Sequence, residues 1–284
     1  MQINKTITNH NFGFIPNGEF SHDLYGKLFG YPNLMKRLQA REIVEALDIQ
    51  PSDVVLDFGC GVGYFTVELA KQAAKAYGID INPYIGQILI PPTLKDKLEY
   101  IVVGGERVPF EDGAFDRVLA SEILPMVSDS TTFLKEIRRI LKSGGYLVVS
   151  NGAGHPVIRE AFEKRSGLLR WLAGRYPQRM PKSYEQYCAI LQHSFGTSRK
   201  DFLQEDDIRN LLEQNGFTVR TVSYTPGYLV GAYLSWSQFL MYLRTGKTVT
   251  QRKFAGNFIF WSFVNLFEKK RHKGGLLCVA QKNK

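Results

Sequence analysis

Asp57-Phe58-Gly59-Cys60-Gly61-Val62-Gly63 places an acid and three alternating glycines directly behind the apolar run Val54-Val55-Leu56. That run, preceded by Pro51 and Ser52, reads as a buried strand, and Phe65 to Lys71 has helical spacing. Strand, glycine turn and helix together make the binding unit of doubly wound sheets. Glycine suits such a turn because its missing Cβ lets the backbone approach a ligand and reverse sharply. The spacing excludes a dinucleotide fingerprint, which needs G-x-G-x-x-G. Counted from Gly59 the third glycine position is Tyr64, and counted from Gly61 it is Thr66.

Ala76 to Asp80 reads as a second short strand ending in an acid, 17 residues beyond Gly63. A carboxylate there can accept from two vicinal hydroxyls of a ribose. Downstream, Phe133, Leu134, Ile137 and Leu141 form one apolar helix face, which Gly144 and Gly145 are expected to terminate ahead of a buried strand from Tyr146 to Val149. Glu205 to Phe217 repeats the order of helix, glycine and strand, and Gly275 to Ala280 reads as the last strand.

The acid followed by G-x-G-x-G resembles motif I of the class I S-adenosylmethionine-dependent methyltransferases. The likeness continues through Glu106 to Phe110, Gly113 to Val118 and Phe133 to Val149. It is nearest to the small-molecule branch, methyltransferase type 11, which includes quinone-biosynthesis methyltransferases. It covers residues 40 to 150, 200 to 225 and 274 to 282. The resemblance implies an α/β fold, a doubly wound, Rossmann-like seven-stranded sheet with the last strand antiparallel. Helical insertions then lie before strand six and between strands six and seven. It implies S-adenosylmethionine as cofactor, held by Asp57, Gly59, Gly61, Gly63, Asp80, Ile81, Gly105, Glu106 and Ser121. It also implies in-line methyl transfer to a small-molecule acceptor, and the apolar insertion between strands six and seven points to a hydrophobic or lipid-linked one.

Three departures from the family pattern stand out. Gly104-Gly105 occupies the place where relatives carry an acid for the adenine amine, which leaves backbone groups or Glu106 for that contact. Ser121 to Met126 lacks the histidine that relatives often carry after the fourth strand. Pro91-Pro92 interrupts the usual second helix. A general base serves only a weakly acidic hydroxyl or a protonated amine, and the candidates are His155, His193 and Tyr187, with Tyr184 weaker.

At 284 residues with 44% hydrophobic content, the chain can bury a large core. Residues 1–40 read as an N-terminal cover segment, in which Tyr25, Phe29 and Tyr31 face the pocket, and 41–284 as one methyltransferase domain. That domain carries a substrate lid at 151–200 and an apolar, basic helical insertion at 226–273. Cys60, Cys188 and Cys278 are odd in number and far apart, which argues against disulfides or a metal site and for a reducing, cytoplasmic compartment. No basic-then-apolar leader opens the chain.

The formal net charge is +9, and between Arg244 and Lys273 eight basic residues face the single acid Glu268. Two apolar segments flank this excess: 228–243, with Leu229, Tyr233, Trp236, Leu240 and Leu243 on one stripe, and 258–267. Both fall short of the roughly 20 residues that span a bilayer. They read either as helices packed on the protein's own sheet or a second subunit, or as an interfacial hairpin at the inner membrane face. Two further readings rest on these residues: a non-catalytic binding protein that dimerises through 228–267, and an RNA methyltransferase. In the lid, Arg159, Lys164, Arg165, Arg170, Arg175 and Arg179 are candidates to meet an anionic substrate group.

Overall fold

The computed structural model describes residues 14–16, 20–32, 34–82, 86, 90–104, 107–151, 156–195, 205–225, 228–246 and 275–283. Helices α1 (Phe20–Phe29) and α2 (Leu34–Glu45) precede the first strand, β1 (Val54–Phe58). There follow α3 (Tyr64–Ala70), β2 (Lys75–Asp80), β3 (Leu98–Val102), β4 (Phe115–Ser121), α4 (Ser130–Ile140) and β5 (Leu141–Asn151). Helices α5 (Pro156–Glu163), α6 (Gly167–Arg175), α7 (Tyr184–Phe195) and α8 (Glu205–Gln214) lead to β6 (Phe217–Thr225). Helix α9 (Tyr228–Thr245) and β7 (Gly275–Lys282) complete the described elements.

The seven strands form one sheet in the order β3-β2-β1-β4-β5-β7-β6. Pairings from β3 to β5 are parallel, and β7 runs antiparallel to both β5 and β6. From β1 the chain winds outward to β3 and then returns to lay β4 on the other side, so the topological switch point lies beside β1. A strand buried on both faces must be apolar on both, which is why Val54-Val55-Leu56 is continuous rather than alternating. Leu56 joins Leu134 and Ile137 of α4 and Leu212 of α8 on one face. Val55 joins Ile43 of α2 and Val67 and Leu69 of α3 on the other.

One local expectation is corrected and one is met. Gly144 and Gly145 do not terminate α4. That helix ends at Ile140 and the glycines lie inside the irregular first part of β5, where Phe115 pairs with Leu141 but Arg117 pairs with Tyr146. Gly144 takes a φ of 73° there, and a Cβ on Gly145 would crowd the Asp116 carbonyl. The segment after Pro91-Pro92 is a 3-10 helix over Pro92–Lys97, since proline at the first position fits a turn but not a helix interior.

The two insertions share one core. Ile158 and Ala161 of α5, Leu169 and Leu172 of α6, Tyr187 of α7, and Phe239 and Leu243 of α9 form a separate buried cluster. The described side chains of α9 therefore pack on the other insertion. Of the expected stripe, Leu243 is fully buried and Trp236 packs against this cluster, whereas Leu240 is 39% exposed and Phe239, outside the stripe, is fully buried. Arg179 caps α9, donating to the Leu243 and Arg244 carbonyls at 3.3 and 2.6 Å. The side chains of Leu229 and Tyr233, and the second apolar segment 258–267, lie outside the described residues. Among the described residues no helix is long and apolar enough to cross a membrane.

This register makes a stability prediction. Phe239→Ala should cost about 3–5 kcal/mol in urea unfolding, as for a buried aromatic, and Leu240→Ala under about 1 kcal/mol. The reverse ranking would contradict the packing.

Candidate active site

The turn from β1 into α3 holds three glycines in the left-handed region, with φ of 79° at Gly59, 54° at Gly61 and 85° at Gly63. Side-chain-bearing residues are strained there. Two of these glycines also make room for neighbours. A Cβ on Gly59 would overlap Ile123, and one on Gly63 would overlap the Tyr100 ring and hydroxyl. The turn is tied down by backbone bonds from Gly59 and Cys60 N–H to the Ile79 carbonyl, at 2.8 and 3.0 Å.

Asp80 ends β2 beside this turn. Its Oδ2 accepts from the Gly61 N–H at 2.8 Å and its Oδ1 from the Asn82 N–H at 2.8 Å. Each carboxylate oxygen retains a lone pair beyond these bonds. Ile81, next along, is 78% exposed. Asp57 lies elsewhere than expected: at 1% exposure it sits beneath the turn, where its Oδ2 accepts from the Thr66 hydroxyl at 2.7 Å. Burial raises its pKa to about 7, opposed by the Thr66 hydrogen bond and reinforced by the charge of Asp80. Cys60 is buried, and its thiol is pushed far up by burial and by the Asp57 and Asp80 charges, so it is packing and not a nucleophile.

Thr66 and Tyr100 escaped the sequence reading. Tyr100, on β3, donates from its hydroxyl to the Gly63 carbonyl at 3.1 Å, and its ring fills the space that Cβ atoms on Gly63, Gly78 and Gly86 would occupy. The available signal was three glycines without side chains around one aromatic.

Ser121, at the end of β4, shares a 2.7 Å hydrogen bond between its Oγ and that of Ser150 on β5. Ser121, Ser150 and Asn151 thus line the same carboxyl edge as the glycine turn. Gly105 and Glu106 lie outside the described residues. The segment after them is clipped by buried Glu136, which accepts from the Val108 N–H at 2.8 Å and pairs with Arg139 at 2.6 Å. A Cβ on Gly104 would meet nothing within 4 Å, so packing does not require glycine there.

The base candidates separate. His155 lies outside the described residues, and His193 lies on α7 with its side chain also outside them. Tyr187 is corrected to a packing role: it is fully buried, with its ring edge-on to Phe239 at 4.9 Å and its phenol pushed well up by burial. Tyr184 packs against the same cluster. In the cover segment, Tyr31 donates to Asp23 at 2.9 Å and packs over Gly26, while Phe29 is exposed. Among the described residues no group of three or more His, Cys, Asp or Glu is placed to hold a metal ion.

Residues 56–149 match the family model described as a methyltransferase domain. The chain is 25% identical over 211 residues to a demethylmenaquinone methyltransferase of Geobacillus sp. (strain WCH70), covering 72% of this chain and 88% of that protein. It is 31% identical over 111 residues to a sterol 4-C-methyltransferase of Caenorhabditis elegans, covering 38% of this chain and 33% of that protein. Among solved structures, the geranyl diphosphate C-methyltransferase of Streptomyces coelicolor A3(2), in complex with Mg2+, geranyl diphosphate and S-adenosyl-L-homocysteine, shares the fold. Its TM-score is 0.59 at 18% identity, over 93% of this chain and 86% of that one.

Asp57 gives a pH signature. Its carboxyl titrates near 7 in the fold against 3.8 for the ordinary group, so the folded state binds the extra proton between those values. Stability from this group is therefore present at low pH and is lost as pH rises through about 7. Asp57→Asn should remove that component, flattening the urea-unfolding profile by a few kcal/mol between about pH 4 and 7. Identical slopes for the two proteins would contradict the assignment.

Proposed function

We propose that this chain, which belongs to the class I S-adenosylmethionine-dependent methyltransferases, methylates a small hydrophobic or lipid-linked acceptor bound beneath its two helical insertions. The observation that carries the reading is the left-handed glycine turn anchored to the Asp80 carboxylate. A backbone free of Cβ atoms at Gly59, Gly61 and Gly63 accommodates the methionine part of the cofactor. The remaining lone pairs of Asp80 suit its ribose hydroxyls, with Ile81, Gly105, Glu106 and Ser121 completing the contacts. Bound there, the cofactor supplies an electrophilic methyl carbon on a sulfonium.

What this chain must do is align the acceptor in line with that carbon and exclude water. Both insertions leave the sheet at the carboxyl ends of β5 and β6, the edge that also carries the glycine turn. That common origin supports the lid reading. Asn151 closes β5 there at 0% exposure, with neither its Nδ2 nor its Oδ1 hydrogen-bonded. A buried amide left so costs about 1–3 kcal/mol, which an acceptor carbonyl or hydroxyl would relieve. Asn151 is thus proposed to orient the acceptor, and His155 or His193 to serve as base where the acceptor needs one. Relatives named demethylmenaquinone methyltransferase and sterol 4-C-methyltransferase support a hydrophobic acceptor. Such an acceptor would be met at the cytoplasmic face of a membrane.

Incubation with methyl-labelled S-adenosylmethionine and a panel of quinols and isoprenoids should move label into the organic extract. No transfer to any of them by protein that binds the cofactor would contradict the acceptor class. Asp80→Ala should weaken cofactor binding by about 1–3 kcal/mol, roughly five- to 150-fold in calorimetric Kd. An unchanged Kd would remove Asp80 from the site.

A further inference from the structure

We infer that the outer face of α6 is a docking surface for an anionic lipid bilayer. Helix α6 is held from behind: Leu169 and Leu172 are buried in the cluster shared by both insertions. Its start is fixed by Ser166, whose Oγ accepts from the Leu169 N–H, and by Arg170, which donates to the Arg165 carbonyl at 2.9 Å. The opposite face is presented rigidly to solvent and is apolar where a surface helix is ordinarily polar. Trp171 is 63% exposed and Leu168 is 49% exposed. With Arg175 they occupy positions i, i+3 and i+7, a single stripe.

Charge selects the partner. From Lys164 to Lys182 the chain carries six cationic residues, Lys164, Arg165, Arg170, Arg175, Arg179 and Lys182, and no acid. Lys164 pairs with Glu160 at 2.6 Å and Arg179 caps α9. Among the described residues, Arg165, Arg170 and Arg175 form no ion pair with a carboxylate, and the neighbouring acid Glu163 is already paired with Arg159 at 2.7 Å. Arg175 lies over the Tyr176 ring at 5.4 Å. A tryptophan and a leucine set among arginines that lack a carboxylate partner match the headgroup boundary of a bilayer. Indole and aliphatic carbons enter the acyl edge while the guanidinium groups remain at the phosphates. Of the cations that the sequence offers to an anionic substrate group, Arg165, Arg170 and Arg175 are the ones this proposal assigns to lipid phosphate. A base-stacking RNA surface is less well matched, since Leu168 offers no ring and the stripe holds one exposed aromatic.

The inference gives the membrane-side placement proposed above a specific surface. It is tested without cofactor or acceptor, so either reading can fail alone. Co-sedimentation of the full chain with phosphatidylcholine vesicles, with and without phosphatidylglycerol, provides the measurement. The chain should partition onto the anionic vesicles and not onto phosphatidylcholine alone. Arg170→Gln with Arg175→Gln should lower the partition coefficient about thirtyfold, from about a factor of five to six per charge. Trp171→Phe should abolish the blue shift of tryptophan emission on vesicle addition. Arg170 also donates to the Arg165 carbonyl, so the melting temperatures of both variants are measured beside the parent's, and the loss of partitioning should persist in Arg175→Gln alone, about five- to sixfold, where that bond is kept. Equal partitioning of parent and double variant would overturn the inference. So would failure of the parent to bind anionic vesicles, or retention on single-stranded RNA in place of vesicles.

Discussion

The hydrogen bond from the Gly61 N–H to the Asp80 carboxylate joins the end of β2 to the turn after β1, and the binding edge takes its shape from it. A charge-assisted bond of this kind contributes about 1.5–3 kcal/mol net, enough to hold a three-glycine turn whose backbone freedom is otherwise large. It also forces a division between two nearby carboxylates. Asp80 is half-buried, bonded to two N–H groups and oriented to accept more. Asp57 is dry and lies within range of that charge, so its pKa rises toward neutrality while Thr66 supports it. One carboxylate is left with accepting capacity at the edge, and the other is buried against the turn.

Around this edge the fold places its variable parts on one side. The parallel strands end together at the glycine turn, Asp80, Ser121 and Asn151, and both insertions depart from that same edge. Because each insertion alone is too small to bury its apolar face, the two pack on one another through Phe239, Tyr187 and Leu172. The result is a second core, distinct from those on the two faces of the sheet. A core assembled from two chain segments buries its inner face and still leaves Leu168 and Trp171 exposed on the outer face of α6.

The sheet was legible in the sequence because buried parallel strands and amphipathic helices leave different periods, although Gly144 and Gly145, read as the end of α4, lie inside β5. The site was legible in outline, through the glycine spacing and Asp80. What escaped was three-dimensional. Nothing in the order of residues tells that Asp57 points down at Thr66, or that Tyr100 fills the space left by Gly63, Gly78 and Gly86. The inward face of α9 was legible at Trp236 and Leu243, but two adjacent apolar residues offer no period to choose between them, and only contact with α5 and α7 selects Phe239 over Leu240. The lid arginines illustrate the same limit, since their charge was visible but the caps and ion pairs that occupy Arg159, Lys164 and Arg179 were not.

The central claim is that the anchored glycine turn binds a sulfonium nucleoside. Calorimetric titration of the purified chain with S-adenosylmethionine and S-adenosylhomocysteine, with NADH as control, tests it most directly. The account predicts saturable micromolar binding of both sulfur compounds and none of NADH; binding of neither, or of NADH in their place, would contradict it.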